Sequence, residues 1–462
     1  MQAKLRIKQF GPIKEVDLEL KNVNVFIGPQ ASGKSAIAKI YTIFKSPLAF
    51  MNKPLAFPFK VEGEKKNADI ENFKATLEEY NVLSFLQPNT FIEFDSEVHY
   101  LKYENDTIFY ERKLLGEIEL LEKLWTPEVA DKESIANMLF SFKKKLFNFF
   151  IFFNSISFKA KIPNSPTENE FRDLFVTSIY TGDEIKSIVD NIRNIEAFLE
   201  GNTALYIPAE RNFIPIIKGA SLSLLNNNVP IPKHILSFGA EYEKASFEVP
   251  EVDLSFVMKG LKYINESGID QIVIDLDTKV KLTQAASGLQ SLVPLLLPIL
   301  AQKKSDKFQH KSFVIEEPEL NLFPYTQYEL IKSLEEQRVE PLGNMDDVGV
   351  IHTYTTHSPF ILAAFNNMLF ANKVVHQIYN SLQINESPES VNIDKWLRAS
   401  TEVKKILPRF IFPENFSAYQ ISNGTAESIV ENGLIKENFI DQTSDKLGED
   451  FEALMDLMEQ YK

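Results

Sequence analysis

Ile27-Gly28-Pro29-Gln30-Ala31-Ser32-Gly33-Lys34-Ser35 satisfies the pattern G-x-x-x-x-G-K-[ST] at every fixed position. Lys21 to Ile27 (KNVNVFI) alternates and ends in an apolar run, which predicts a buried strand, and Ala36 to Tyr41 (AIAKIY) continues with helical spacing. A loop between strand and helix is built to hold an anion. Gly28 and Gly33 let the backbone curl past Pro29, which has no N–H, so that the N–H groups of Gln30, Ala31, Ser32 and their neighbours, up to Ala36, can turn inward. The helix beginning near Lys34 adds its positive end. Lys34 is expected to reach the β- and γ-phosphates and the Ser35 hydroxyl to hold Mg²⁺. The bland reading, a glycine turn with an incidental lysine, does not explain the flanking strand and helix. The expected ligand is ATP or GTP.

The rest of the chain bounds what such a loop can serve. At 462 residues and 44% apolar content it has room for two or three packed units. It has no cysteine, so disulfides and thiolate metal sites are excluded, in keeping with a cytoplasmic setting. Met1-Gln2-Ala3-Lys4 runs straight into a strand pattern, with no secretory signal in view. The most aromatic stretch, Leu146 to Phe153 (LFNFFIFF), is too short for a bilayer span, so no membrane is expected. A formal net charge of -15 argues against wholesale wrapping of nucleic acid, although Lys143 to Lys145 and Lys303-Lys304 leave room for a local DNA contact.

Along the chain, Lys4 to Leu20 reads as a hairpin punctuated at Gly11-Pro12. Residues 46–202 differ in character, dense in phenylalanine and lysine. There Thr90 to Lys113 predicts two or three antiparallel strands turning at Glu104-Asn105-Asp106, and Gly116 to Leu124, Lys132 to Phe152 and Asp183 to Leu199 predict helices. Ala204 to Pro208 predicts a strand opening Tyr206-Ile207-Pro208-Ala209-Glu210-Arg211, and Gln271 to Leu282 a strand pair. After about residue 376 come helical and short extended pieces, closing in an acidic amphipathic helix, Ser444 to Met458.

Three stretches downstream could complete a triphosphate site. Ala286-Ser287-Gly288-Leu289-Gln290-Ser291 opens an apolar helix in which Pro298 should cause a bend; Ser-Gly there is either an N-cap or an anion-facing terminus. Ser312 to Ile315 (SFVI) predicts a strand ending in Glu316-Glu317-Pro318-Glu319. One carboxylate could hold Mg²⁺ and the next polarise the attacking water, provided the strand stops there. Val348 to Tyr354 (VGVIHTY) predicts another strand, leading to Thr355-Thr356-His357-Ser358-Pro359, where His357 could donate to the γ-phosphate. His352 is expected to pack or to meet solvent.

In this order, the phosphate loop, an insertion, SGLQS, FVIEEPE and TTHSP resemble the ATP-binding-cassette (ABC) heads of the SMC, RecF and OLD class. Tyr206 to Arg211 is similar to the YIPAER element of small bacterial ATPases in that class. The resemblance spans residues 1–45 and about 203–375. It implies an α/β fold: a phosphate-loop NTPase head with a mixed sheet and antiparallel β lobe, a helical and β insertion over 46–202, and a helical C-terminal tail over 376–462. It further implies that two heads sandwich ATP and Mg²⁺, with Ser287, Gly288 and Gln290 acting in trans, Ser35 and Glu316 as metal ligands, Glu317 as base and His357 as switch histidine. Arg211 is expected either near the nucleotide or capping a loop. Phe323 departs from the histidine usual in this group, and Gln87 is a candidate for the glutamine of the lobe-connecting loop.

The leading expectation is therefore a cytoplasmic ATPase that assembles as a homodimer or higher homo-oligomer. Stand-alone OLD-like ATPases of this size resemble the ATPase subunits of bacterial anti-phage systems of the PARIS and Septu type, which implies a separate nuclease effector. No Asp-x-Asp follows His357, so the chain is not expected to be a two-metal nuclease itself. A RecF-like DNA-repair ATPase and an ATP-gated scaffold with little turnover are the alternatives.

Overall fold

The computed structural model describes residues 3–47, 65–96, 99–112, 203–219, 227, 229–275, 278–304, 310–338, 350–382, 393–436 and 439–460. The helices expected at 116–124, 132–152 and 183–199 and the aromatic stretch 146–153 lie outside them. Strands β1 (Ala3–Phe10) and β2 (Ile13–Leu20) form the expected hairpin. Strand β3 (Val23–Ile27), buried at every position, feeds the phosphate loop into helix α1 (Lys34–Lys45). Helix α2 (Lys65–Glu79) precedes the antiparallel strands β4 (Leu86–Asp95), β5 (His99–Glu104) and β6 (Thr107–Arg112). Then come β7 (Thr203–Ile207), α3 (Lys233–Glu248), the short strands β8 (Glu251–Asp253), β9 (Lys262–Glu266), β10 (Ile269–Val273) and β11 (Lys279–Lys281), and α4 (Ser287–Lys304). The chain continues through β12 (His310–Glu316), α5 (Pro324–Gln337), β13 (Ile351–Thr356), α6 (Pro359–Leu382), α7 (Ile393–Lys404), β14 (Phe416–Ser422), β15 (Thr425–Ser428) and α8 (Phe439–Gln460).

One 11-stranded mixed sheet, in the order β6-β5-β4-β1-β2-β15-β14-β3-β13-β12-β7, carries the site. Its β14-β3-β13-β12-β7 portion is parallel throughout, as strands covered on both faces tend to be. Alternation along β3 shows the two faces: Val23, Val25 and Ile27 join the core beneath α4, α5 and α6, while Phe26 joins the other core with Ile37, Ile40 and Phe44 of α1. Strands β8 to β11 make a separate four-stranded sheet, including the pair read from residues 271–282.

Two features go beyond the sequence reading. Helix α4 is continuous past Pro298 to Lys304, because Leu295, Leu296, Leu297 and Ile299 are buried around the prolines and that packing offsets the lost backbone hydrogen bonds. The region after residue 376 is also more than a helical tail: β14 pairs in parallel with the phosphate-loop strand itself, Ala418 opposite Val25. His352 is fully buried, its Nδ1 3.0 Å from Glu335 Oε1, in a cluster that includes the Tyr354 hydroxyl and Arg338. Burial lowers its proton affinity, so it packs as a neutral ring.

Candidate nucleotide-binding and hydrolysis site

The strand register brings three sequence motifs to one end of the sheet. Thr356 lies opposite Ile27 and Glu316 opposite Thr355, so the ends of β3, β13 and β12 are successive neighbours at the usual strand spacing of about 4.8 Å. These are the carboxyl ends of parallel strands, where an α/β sheet leaves a crevice for its ligand.

In the loop after β3, Ala31 has φ 59° and Gly33 φ 106°. Left-handed residues in such a loop help turn backbone N–H groups to one side, and at Gly33 a side chain would be strained. Ile37 N–H donates to the Gly33 carbonyl at 3.0 Å, so the helix starts directly off the loop. Lys34 Nζ donates to the Gly28 and Pro29 carbonyls, each at 2.9 Å. Burial lowers Lys34 to about 8 against the pull of Glu317, Glu319 and Glu316. A phosphate oxygen would replace neutral carbonyl acceptors with a charged one, the stronger partner for an ammonium group.

Strand β12 ends at Glu316, and Glu317 turns sharply at φ 42°, a left-handed conformation unusual for a side-chain-bearing residue, more so before Pro318. Strain of this kind persists where the surroundings over-determine it. Here Glu317 N–H donates to the Thr355 carbonyl at 2.9 Å, and the turn lets Glu317 depart from the direction of Glu316. His357 Nε2 stands 3.4 Å from Glu317 Oε1. Hydrogen bonding to His357 holds Glu317 below the ordinary carboxylate range despite partial burial, with Lys34 and Arg211 contributing. Glu317 is therefore anionic at neutral pH and able to polarise a water molecule.

Sequence reasoning missed Glu319. Its Oε1 accepts from the His357 backbone N–H at 2.7 Å and from the Thr356 hydroxyl at 2.8 Å, so it orients the histidine loop. Burial raises its proton affinity, and its Oε2 has no hydrogen-bond partner. Its place in the EEPE run was the only signal.

Arg211 caps backbone beside the strand end. The guanidinium is fully buried and donates to four carbonyls: Ser291 at 3.0 Å, Pro208 at 3.1 Å, Glu316 at 2.6 Å and Glu317 at 2.7 Å. It therefore ties the end of β12 to the first turns of α4. Ser287 is the first residue of α4 rather than its cap, and it is exposed. A Cβ on Gly288 would stand 2.7 Å from the Asn321 carbonyl oxygen, so close contact within the same chain demands glycine there. Gln290 Nε2 donates to the Ala285 carbonyl at 2.8 Å, and the side chain braces the turn before α4. Gln87 is exposed near the start of β4, its backbone N–H on the Thr90 hydroxyl at 2.8 Å.

The expected ion fits the residues present. Glu316 is 4% exposed, its Oε1 makes no hydrogen bond, and Ser35 lies close enough to influence its titration. Burial nevertheless raises Glu316 above the usual carboxylate range. A buried, unpartnered carboxylate oxygen beside a hydroxyl is suited to Mg²⁺, which takes one or two protein oxygens together with phosphates and water. Among the described residues no group of three or more His, Cys, Asp or Glu could hold a metal by itself.

Sheet order and motif placement define an α/β domain whose phosphate loop lies at the carboxyl ends of its parallel strands. Residues 182–362, which include α4, Glu316, Glu317 and His357, match the family described as "AAA ATPase domain". Among solved structures the chain is similar to an SMC head domain from Thermotoga maritima (TM-score 0.34, 11% identity, 93% of this chain and 99% of that one). It is also similar to an SMC head domain with an extended coiled coil from Pyrococcus furiosus (0.32, 8%, 97% and 98%). A third is the recombination mediator protein RecF (0.30, 11%, 93% and 98%). No curated protein matches the chain. Among the described residues no helix is long and apolar enough to cross a membrane.

Proposed function

We propose that this chain binds ATP with Mg²⁺ and hydrolyses it to ADP and phosphate, through a head assembled from residues 1–45 and 203–375 around the insertion 46–202 and followed by 376–462. The observation that carries this reading is the meeting of Lys34, Glu317 and His357 at adjacent strand ends, with His357 Nε2 3.4 Å from Glu317 Oε1. The loop amides and Lys34 bind the triphosphate. Ser35 and Glu316 hold the ion, whose charge offsets that building up on the phosphate oxygens. Glu317 orients and polarises the attacking water. His357 holds Glu317 in place, can donate to the γ-phosphate, and is itself steadied by Glu319.

In the same proposal a second copy completes the pocket, Ser287, Gly288 and Gln290 facing the nucleotide held by its partner, in a homodimer or higher homo-oligomer. Phe323 at 75% exposure, Tyr325 at 63% and Phe360 at 46% support this reading, being large apolar side chains just after Glu319 and His357 that such a contact would cover. Engagement then controls a separate nuclease in antiviral defence, a role supported by the OLD-like motif order.

Glu317→Gln tests the core of the proposal. Turnover should fall by about two orders of magnitude or more, the usual worth of a general base, while ATP still binds and dimers accumulate in sedimentation runs. Wild-type turnover in the variant would reject the assignment. Cleavage of plasmid DNA by the purified chain alone would reject the separate nuclease.

A further inference from the structure

Tyr206 has a hydroxyl that its packing does not explain. The parallel register sets Tyr206 opposite Val314, so Glu316, two residues beyond Val314, projects from the same face of the sheet beside it. Both residues are only 4% exposed, and Tyr206 Oη and Glu316 Oε1 each lack a hydrogen-bond partner although fully buried. Buried polar atoms are as a rule paired, so two orphans side by side, one able to donate and one to accept, point to an arrangement completed by something further. The ring is firmly seated, edge-on to Tyr80 at 5.6 Å and to His234 at 5.7 Å, with Lys39 Nζ 5.8 Å from its centroid. Tyr80 follows α2 and His234 lies in α3, so those helices fix where the hydroxyl stands. Phenylalanine would make the same ring contacts. Only a polar partner gives the hydroxyl a use.

We propose that Tyr206 is a positioning residue for the ion: its hydroxyl donates to the Glu316 carboxylate and turns the remaining lone pairs of that group toward Mg²⁺ held with Ser35. This rests on the reading of Glu316 and Ser35 as metal ligands, and it adds a third side chain, outside the nucleotide motifs, that sets the carboxylate's orientation. Groups that hydrogen-bond a metal ligand typically change metal affinity about 10- to 100-fold when removed.

The test is a fluorescence titration of methylanthraniloyl-ATP binding to wild type, Tyr206→Phe and Glu316→Gln, first in EDTA and then against increasing Mg²⁺. For Tyr206→Phe the affinity in EDTA should stay within about twofold of wild type. The Mg²⁺ concentration for half-maximal effect should rise about tenfold, at the low end of that range, and saturating Mg²⁺ should restore wild-type affinity. A half-maximal concentration unchanged in Tyr206→Phe but lost in Glu316→Gln would overturn the role of Tyr206 alone. A Mg²⁺ response in Glu316→Gln identical to that of wild type would remove the metal assignment and this inference with it. Loss of affinity in EDTA by Tyr206→Phe would assign the hydroxyl to the fold and equally overturn the proposal.

Discussion

Replacing Arg211 should damage both the fold and the site. In Arg211→Met the four carbonyls of Pro208, Ser291, Glu316 and Glu317 lose their shared donor inside the protein. A buried polar group left unpaired costs about 1–3 kcal/mol, but removing the guanidinium also removes its own burial penalty. That penalty is real, since burial lowers Arg211 to about 10. The guanidinium also offsets the charge of the Glu319, Glu317 and Glu316 carboxylates around it, so the net loss should be near 3–5 kcal/mol, as when one partner of a buried charged contact is deleted. With an unfolding entropy of about 2.1 cal/mol/K per residue, a chain this long melts roughly 1 °C lower per kcal/mol, so a drop of about 3–5 °C is expected by differential scanning fluorimetry. Turnover should fall further than stability explains, because the guanidinium holds the backbone of Glu317 and the first turns of α4 together. Arg211→Lys should do little better, since a single ammonium cannot span carbonyls that a planar fork reaches together. A Met variant melting within 1 °C of wild type with normal turnover would refute the reasoning.

Other expectations follow from the same geometry. Nucleotide affinity at saturating Mg²⁺ should hold steady below about pH 8 and weaken above it, by up to tenfold per unit, because the phosphates favour protonated Lys34, which burial lowers to about 8. Lys34→Ala should abolish binding, and an affinity flat to pH 9.5 in wild type would count against the assignment. Gly288→Ala should lower the melting temperature even in the isolated monomer, since the added methyl would stand 2.7 Å from the Asn321 carbonyl oxygen; unchanged melting would show that the contact gives way freely. Ser287→Arg, at an exposed first helical position, should spare both melting and ATP binding but prevent ATP-dependent dimers in sedimentation, and normal dimers would remove the trans role.

Much of the site could be read from residue order because its chemistry is local. A phosphate loop needs glycine at set intervals, a lysine and a hydroxyl within one turn, so Gly28 to Ser35 declares itself without any distant contact. The strand end at Glu316 and the histidine after β13 were legible for a similar reason, each an apolar run stopping at a polar residue. The assignments that failed to resolve depend on who lies beside whom. Arg211 had two open roles until β7 was set beside β12, which placed its guanidinium under the Glu316 and Glu317 carbonyls. Gly288 looked like a ligand-facing glycine, and only the fold shows the Asn321 backbone pressed against it.

The sequence by itself determined where the candidate nucleotide loop, carboxylate pair and histidine fall along the chain and that each follows a strand, since each is written in short-range pattern and composition. Tertiary structure alone decided that β14 flanks the phosphate-loop strand, that Glu319 steadies the histidine, and that Tyr206 shares a sheet face with Glu316 on the neighbouring strand. Those are contacts between segments far apart in the chain, chosen by burial and pairing over the whole sheet, and no local periodicity encodes them.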